Sequence, residues 1–235
     1  MSKKRLVDLL ILLVVMGLVY QGGKGLILAR DQKKSQKIYQ DLRQEASPQE
    51  GEKRDLSSLQ EEGADIIGWL TSASGRIDYP LVQGGDNETY LHRAASGEKN
   101  ALGAIFMDYR NQSLKDPLVL VYGHMMKDDA MFGPLKDFKE EGQAEPFRFW
   151  TEEGSFEARP KLVSLIPGET VLDPRDYQDG QGKEGVYDFL KERALYEVGP
   201  APGEEEPWIL LITCSYEWHN ARLAVLMVAE DPKNP

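Results

Sequence analysis

From Ile66 to Val228 the chain is a succession of short apolar runs, each closed by turn-forming or charged residues. This texture limits the available folds more than any other feature of the sequence. The runs are Ile66–Leu70, Ile77–Val82, Ala104–Met107, Leu118–Tyr122, Phe147–Trp150, Phe156–Ile166, Thr170–Leu172, Trp208–Cys214 and Leu223–Val228. Most are strand-sized, and short strands at this spacing predict a barrel or a sandwich. One stretch departs from the pattern. Gly185–Tyr196 sets Val186, Phe189, Leu190 and Ala194 at helical spacing, which predicts a helix packing one face on the β structure. There is no internal repeat and no low-complexity tract.

The part before residue 60 has a different character. Lys3-Lys4-Arg5 precedes Leu6–Tyr20, which is apolar except for Asp8 and Gly17, and apolar residues resume at Leu26–Ala29. Leu6 to Leu28 is long enough to cross a bilayer as a helix, with Asp8 and Lys24 near the two interfaces. A cleaved signal peptide is the rival, but no small-x-small site follows the apolar run, so residues 1–30 read as an uncleaved membrane signal anchor. Lys24, Arg30, Lys33, Lys34 and Lys37 on its far side leave orientation open by charge alone. Residues 31–45 carry no strong apolar face and read as a charged helix leaving the membrane. Residues 46–55 read as a linker from their Pro, Gly and charge content, and Leu56–Gly63 as a short helix. The expected organisation is an anchor over 1–30, a charged helix and linker stalk over 31–59, one mainly-β domain over 60–231 and a tail over 232–235.

With 235 residues and 41% hydrophobic composition, the chain can bury a substantial core. Its formal charge of −11, from 39 acidic and 28 basic side chains, argues against a nucleic-acid binder, which needs a basic face. Acidic clusters such as Glu204-Glu205-Glu206 are solvated loop surface.

Cys214 is the only cysteine, so it forms no intrachain disulfide and acts, if it acts, as a free thiol. It ends the run Trp208–Cys214, and Arg222 opens the next. A thiol at one strand tip and a guanidinium at the start of the following strand suggest a nucleophile with an anion-stabilising partner. The alternative is a small core residue, since free cysteine is among the most buried residue types. A cysteine nucleophile needs a proton carrier. His124 follows Leu118–Tyr122 and Gly123, where a core strand emerges. His219 lies in the loop after Cys214. His92 sits among charged residues in Tyr90-Leu-His-Arg93 and reads as a surface histidine. Position alone favours His124 but leaves His219 open. No Cys/His cluster at ligand spacing suggests a metal.

Tyr122-Gly123-His124-Met125-Met126, and Leu211-Ile212-Thr213-Cys214 followed by Arg222, resemble the His, Thr-Cys and Arg signatures of the sortases. The likeness to class B sortases is closer. It is carried by Ile77-Asp-Tyr-Pro-Leu-Val-Gln-Gly84, Ile105-Phe-Met-Asp-Tyr-Arg-Asn111, Met131-Phe-Gly133 and Cys214-Ser-Tyr-Glu-Trp-His-Asn-Ala-Arg222. The blocks run in order over residues 64–228.

The resemblance implies a closed sortase-type β-barrel with N-terminal helices and one longer helix before the penultimate strand. It implies a cysteine transpeptidase of Gram-positive bacteria that uses no cofactor. Such an enzyme cuts a sorting motif near the C-terminus of a secreted protein and joins the new acyl end to an amine, in class B usually that of a cell-wall precursor. Cys214 would be the nucleophile, His124 the proton carrier and Arg222 the stabiliser of the oxyanion or substrate backbone. Asn87, Leu91, Thr213 and Tyr216 would touch substrate. On the residues alone, Asn87 reads equally as a capping polar group and Leu91 as core. Tyr216 and Glu217 either line the site or shape their loop, and Met125-Met126 reads as packing. Ile212 departs from the family, where a small hydroxyl residue often precedes the Thr-Cys pair. The implied location is the cell membrane, single-pass, with the N-terminus cytoplasmic and the catalytic domain outside. The alternatives are a pilin-polymerising transpeptidase accepting a lysine amine, a catalytically idle anchored binding module, and a plain cysteine protease.

Overall fold

Among the described residues the chain forms nine strands: β1 (Ile66–Ser72), β2 (Asp78–Val82), β3 (Ile105–Met107), β4 (Leu118–Tyr122), β5 (Phe147–Thr151), β6 (Gly154–Pro167), β7 (Ala194–Glu197), β8 (Trp208–Ser215) and β9 (Ala221–Glu230). They come from a computed structural model that describes residues 33–46, 54, 56, 65–100, 102–126 and 129–230. Eight of the strands hydrogen-bond in the order β5-β1-β2-β3-β4-β8-β9-β6, and a β5–β6 pairing closes the ring. Closure leaves no open edge within the ring. β7 pairs with β6 outside it.

The 14-residue β6 makes closure possible by serving two neighbours. Its first residues pair with β5 and the rest with β9. Pro160 lies where the β6–β9 register shifts, between Pro160 and Leu162. A proline cannot donate to a ladder, so a bulge is where a strand can hold one, and bulges bend strands.

Period-two alternation divides the walls. Val119, Val121, Ile209, Leu211, Leu223, Val225 and Met227 join the barrel interior with Trp69, Phe106, Phe147 and Phe149. Leu118, Leu120, Trp208, Leu210, Ile212, Ala224, Leu226 and Val228 lie on the opposite face, in a second buried cluster with Val186, Tyr187 and Leu190. The latter three belong to α2 (Lys183–Lys191; α1 is described below), which covers this outer face. The strands that carry the site are therefore buried on both sides, which explains their unbroken apolar runs.

The predicted strands occur with one exception. Thr170–Leu172 is loop, and Val171 is exposed. The predicted helix over Gly185–Tyr196 starts earlier and stops at Lys191. Ser164 Oγ donates to Leu190 O and an Arg193 guanidinium N–H to Phe189 O, so last-turn carbonyls are satisfied from outside the helix. Ala194, expected on the helical face, begins β7 but still packs on the same cluster.

A helix, α1, spans 33–45 as expected, but it is not a bare charged stalk. Tyr39 and Ala46 are buried, and Ile38 and Leu42 pack against the barrel core. Ser35 Oγ donates to Asn100 Oδ1 at 2.6 Å, and Tyr39 Oη donates to Gly103 O at 2.7 Å. Its docking stripe is narrow and partly polar, so hydropathy alone conceals it. The expected anchor over 1–30 and most of the expected helix at Leu56–Gly63 lie outside the described residues. Among the described residues no helix is long and apolar enough to cross a membrane.

Candidate active site

Three adjacent strands bring the candidate residues together by register. β4 and β8 run parallel with Tyr122 beside Ile212, so two residues further on His124 lies beside Cys214. Gly123 N–H donates to Ile212 O at 3.2 Å and extends the pairing toward that point. β8 and β9 run antiparallel with Cys214 directly opposite Arg222. Side chains two apart share a strand face, and directly paired residues project the same way. Cys214 therefore sits between His124 and Arg222 on one face of the β4–β8–β9 wall.

The face opens into a cleft of about 150 Å³ whose lining includes His124, Cys214 and Arg222. Leu91 and Tyr122 line it, as do Ile166–Gly168, Thr170, Leu172 and Ile212. Gly168 N–H donates to Asn220 O at 2.7 Å, and a Cβ at Gly168 would fall 2.2 Å from Asn220 Oδ1. Only glycine lets the loop after β6 close this tightly on the β8–β9 loop.

The electrostatics follow from contact. His124 Nε2 lies 2.9 Å from Leu91 O, which as a carbonyl can only accept. Nε2 therefore carries the proton in this bond, leaving Nδ1 for the thiol. The hydrogen bond with Cys214 raises the His124 pKa above its ordinary value, outweighing burial, and the Leu91 carbonyl adds to the rise. The same His124 bond holds the Cys214 thiol below its ordinary pKa, against a burial effect that raises it, and the Arg222 charge helps. Both shifts favour thiolate and imidazolium. Arg222 donates to Ala221 O at 3.1 Å, which holds the guanidinium near the strand.

The other sequence-predicted residues separate. Leu91 lines the cleft, and its carbonyl fixes the imidazole, a role that side-chain reasoning misses. Thr213 also lines the cleft, beside the nucleophile. Its side chain is buried, and its Oγ1 has no hydrogen-bond partner. Asn87 does not line the cleft. Its Nδ2 donates to Asp108 Oδ2 at 2.8 Å and its Oδ1 accepts from Tyr109 N–H at 3.0 Å, so the fold engages both ends of its amide. Tyr216 stands on the exposed β8–β9 loop, outside the cleft lining, with its hydroxyl 3.4 Å from Met125 O. Glu217 shapes that loop by pairing with Lys139 and Ser215. His92 and His219 are exposed and away from the cleft. Met125 is buried and Met126 packs on the core, as expected of packing residues. Among the described residues no group of three or more His, Cys, Asp or Glu is arranged to hold a metal.

A closed eight-strand barrel that presents a free thiol between an imidazole and a guanidinium at its strand ends has the architecture of the sortases. The comparisons with known proteins agree. Sortase B of Listeria monocytogenes serovar 1/2a is 36% identical over 175 residues, which is 71% of this chain and 70% of that protein. The crystal structure of sortase B from Bacillus anthracis superposes with a TM-score of 0.75 at 26% identity, covering 86% of this chain and 98% of that one. Clostridium perfringens sortase B gives a TM-score of 0.64 at 29% identity, covering 75% of this chain and 100% of that one. No protein-family model matches the chain. It belongs to the class B sortases and is a cysteine transpeptidase.

Proposed function

We propose that Cys214, His124 and Arg222 carry out the transpeptidation on a secreted protein bearing a C-terminal sorting motif. The observation that carries this reading is the strand register setting Cys214 between the other two. The Cys214 thiolate attacks the carbonyl carbon of the motif's threonine, forming a C–S bond and an oxyanion. Arg222 offers fixed donors to that oxyanion or to the adjacent substrate backbone. As the C–N bond breaks, His124 gives its Nδ1 proton to the departing amine nitrogen, leaving a thioester. The incoming amine then loses a proton to His124, attacks the thioester and expels the thiolate. The acceptor in this reading is a cell-wall precursor amine, reached from the outer face of the membrane. The apolar segment Leu6–Leu28 provides the anchor, with the N-terminus cytoplasmic.

The test uses the full-length protein with a small library of Pro- and Thr-containing sorting peptides, with and without candidate amines. Added amine should divert product from hydrolysis to ligation. A wall-type cross-bridge amine should serve better than a lysine side chain, and the reverse preference would indicate pilin polymerisation. Cys214→Ala should abolish cleavage, and His124→Ala should lose several orders of magnitude, while His92→Ala and His219→Ala keep most activity. Arg222→Lys should be strongly impaired and Arg222→Ala worse, by about 3 kcal/mol or roughly a hundredfold, as expected for loss of an oxyanion donor. Cleavage retained in Cys214→Ala, or a dead His219→Ala, would sink the assignment.

A further inference from the structure

Beside the cleft, and outside the triad, lies a buried ion pair that the chemistry above does not use. The Asp108 side chain is wholly buried. Its Oδ1 accepts from Arg110 N–H at 2.9 Å and Arg110 Nε at 2.8 Å. Its Oδ2 accepts from Arg110 Nη2 at 2.7 Å, Asn87 Nδ2 at 2.8 Å and Tyr122 Oη at 3.1 Å. Desolvating a carboxylate is costly, and this degree of satisfaction is what makes it tolerable. The result is a rigid seat for one guanidinium.

That guanidinium reaches onward. Arg110 Nη2 donates to Leu172 O at 2.9 Å, and Nη1 lies 3.4 Å from Asp173 Oδ2. Leu172 and Thr170 form part of the cleft wall, and Tyr122 lines the cleft as well. This stretch has no strand ladder of its own. One arginine therefore joins the wall of the cleft to the carboxylate that also positions Tyr122.

We propose that Arg110, seated on Asp108, is a specificity-positioning residue: it pins the Thr170–Leu172 wall and so sets which peptide side chain fits beside Cys214. The occupant is an extended peptide with an apolar or neutral side chain lodged between Leu172 and Tyr122. This rests on the transpeptidase reading, so the test includes a measurement that does not depend on turnover.

The main variant is Arg110→Lys. It keeps the charge, but one ammonium cannot reproduce the planar fork that serves Asp108 and Leu172 together. The probes are Pro- and Thr-containing peptides that differ only in the residue before the threonine: glycine, glutamine, leucine or tryptophan. KM for the preferred peptide should rise about tenfold with kcat within about threefold, and discrimination across the series should shrink, as expected when ground-state positioning is lost. Alkylation of Cys214 by iodoacetamide should stay at the wild-type rate. Amide exchange over residues 168–172 should quicken with no peptide present. Unchanged exchange with unchanged discrimination overturns the proposal, as does a fall in kcat at constant KM. Should Arg110→Lys fail to fold, Asp173→Asn leaves the buried pair intact and should move KM and exchange in the same directions by a smaller factor; no movement there overturns the proposal equally. If the wild-type protein cleaves none of the peptides, the transpeptidase reading fails by itself, and the exchange measurement alone decides the role of Arg110.

Discussion

At the scale of single residues, the acidity of one thiol decides how this protein reacts. Cys214 is half-buried, and burial alone would push its pKa up and leave it inert. The hydrogen bond to His124 overcomes that, and the Arg222 charge adds to it. The sign is definite: neighbours that favour the anion lower the pH at which the thiol titrates. The reciprocal rise on His124 means that the imidazole keeps its proton to higher pH than a free histidine. The rate of Cys214 alkylation by iodoacetamide, followed against pH, should therefore show a midpoint below that of an unstructured cysteine peptide. In His124→Ala the midpoint should move up, because the largest lowering contribution is gone. A wild-type midpoint at or above the free-cysteine value would refute this coupling. That Cys214, His124 and Arg222 come together was legible only in part: strand-end position suggested the three but left His219 open, and the family resemblance selected His124. The sequence could not reveal Leu91 as the partner of His124, because that contact is a main-chain carbonyl brought in by a 3-10 turn, and carbonyls have no residue signature. Thr213, expected at the site as the neighbour of the nucleophile in sequence, does lie in the cleft lining, with its side chain buried.

At the scale of elements, α1 has an unexpected tie to the site. Its Tyr39 hydroxyl donates to Gly103 O and accepts from Ala95 N–H. Gly103 has a φ of +61° and packs so closely that a Cβ would lie 2.9 Å from Leu91 O and 3.0 Å from His124 Cδ2. The helix thus braces the segment beneath the imidazole and its carbonyl partner. Tyr39→Phe keeps the ring and its edge contact with Tyr79 but leaves a buried carbonyl without its donor, at a cost of about 1–3 kcal/mol. We expect a lower melting temperature and a severalfold fall in the acylation kcat, with KM held, since the peptide groove is untouched. Unimpaired acylation in a folded but less stable variant would show that α1 serves stability alone. Element by element, the strands of the barrel were legible because long two-sided burial produces unbroken apolar runs. β7 was not. It is a four-residue strand of alternating exposure, and Ala194 falls four residues after Leu190, so it continues a helical pattern that the chain abandons at Lys191. Thr170–Leu172 offers β-branched and apolar residues but no ladder; Arg110 holds it instead.

At the scale of the whole molecule, the arrangement of charge and anchor bears on where the reaction takes place. Residues 1–30 carry five basic side chains against one acidic, while the whole chain is strongly acidic. An acidic domain is repelled by anionic lipid, so in the proposed anchored arrangement apolar insertion rather than surface attraction would hold it. α1 docks on the barrel rather than standing away from it, so residues 33–46 belong to the packed domain. The substrate of a transpeptidase that processes secreted proteins arrives on the outer side, and so does a wall-precursor amine. In the proposed function the thiol therefore faces outward. We expect protease added to intact, wall-stripped cells to digest residues after 33, and a membrane-impermeant thiol reagent to label Cys214 without lysis. The control is Cys214→Ala, which should remove the label. Protection of the domain until the cells are broken, with labelling only after lysis, would place the site on the inner face and rule out the anchored, outward-facing enzyme.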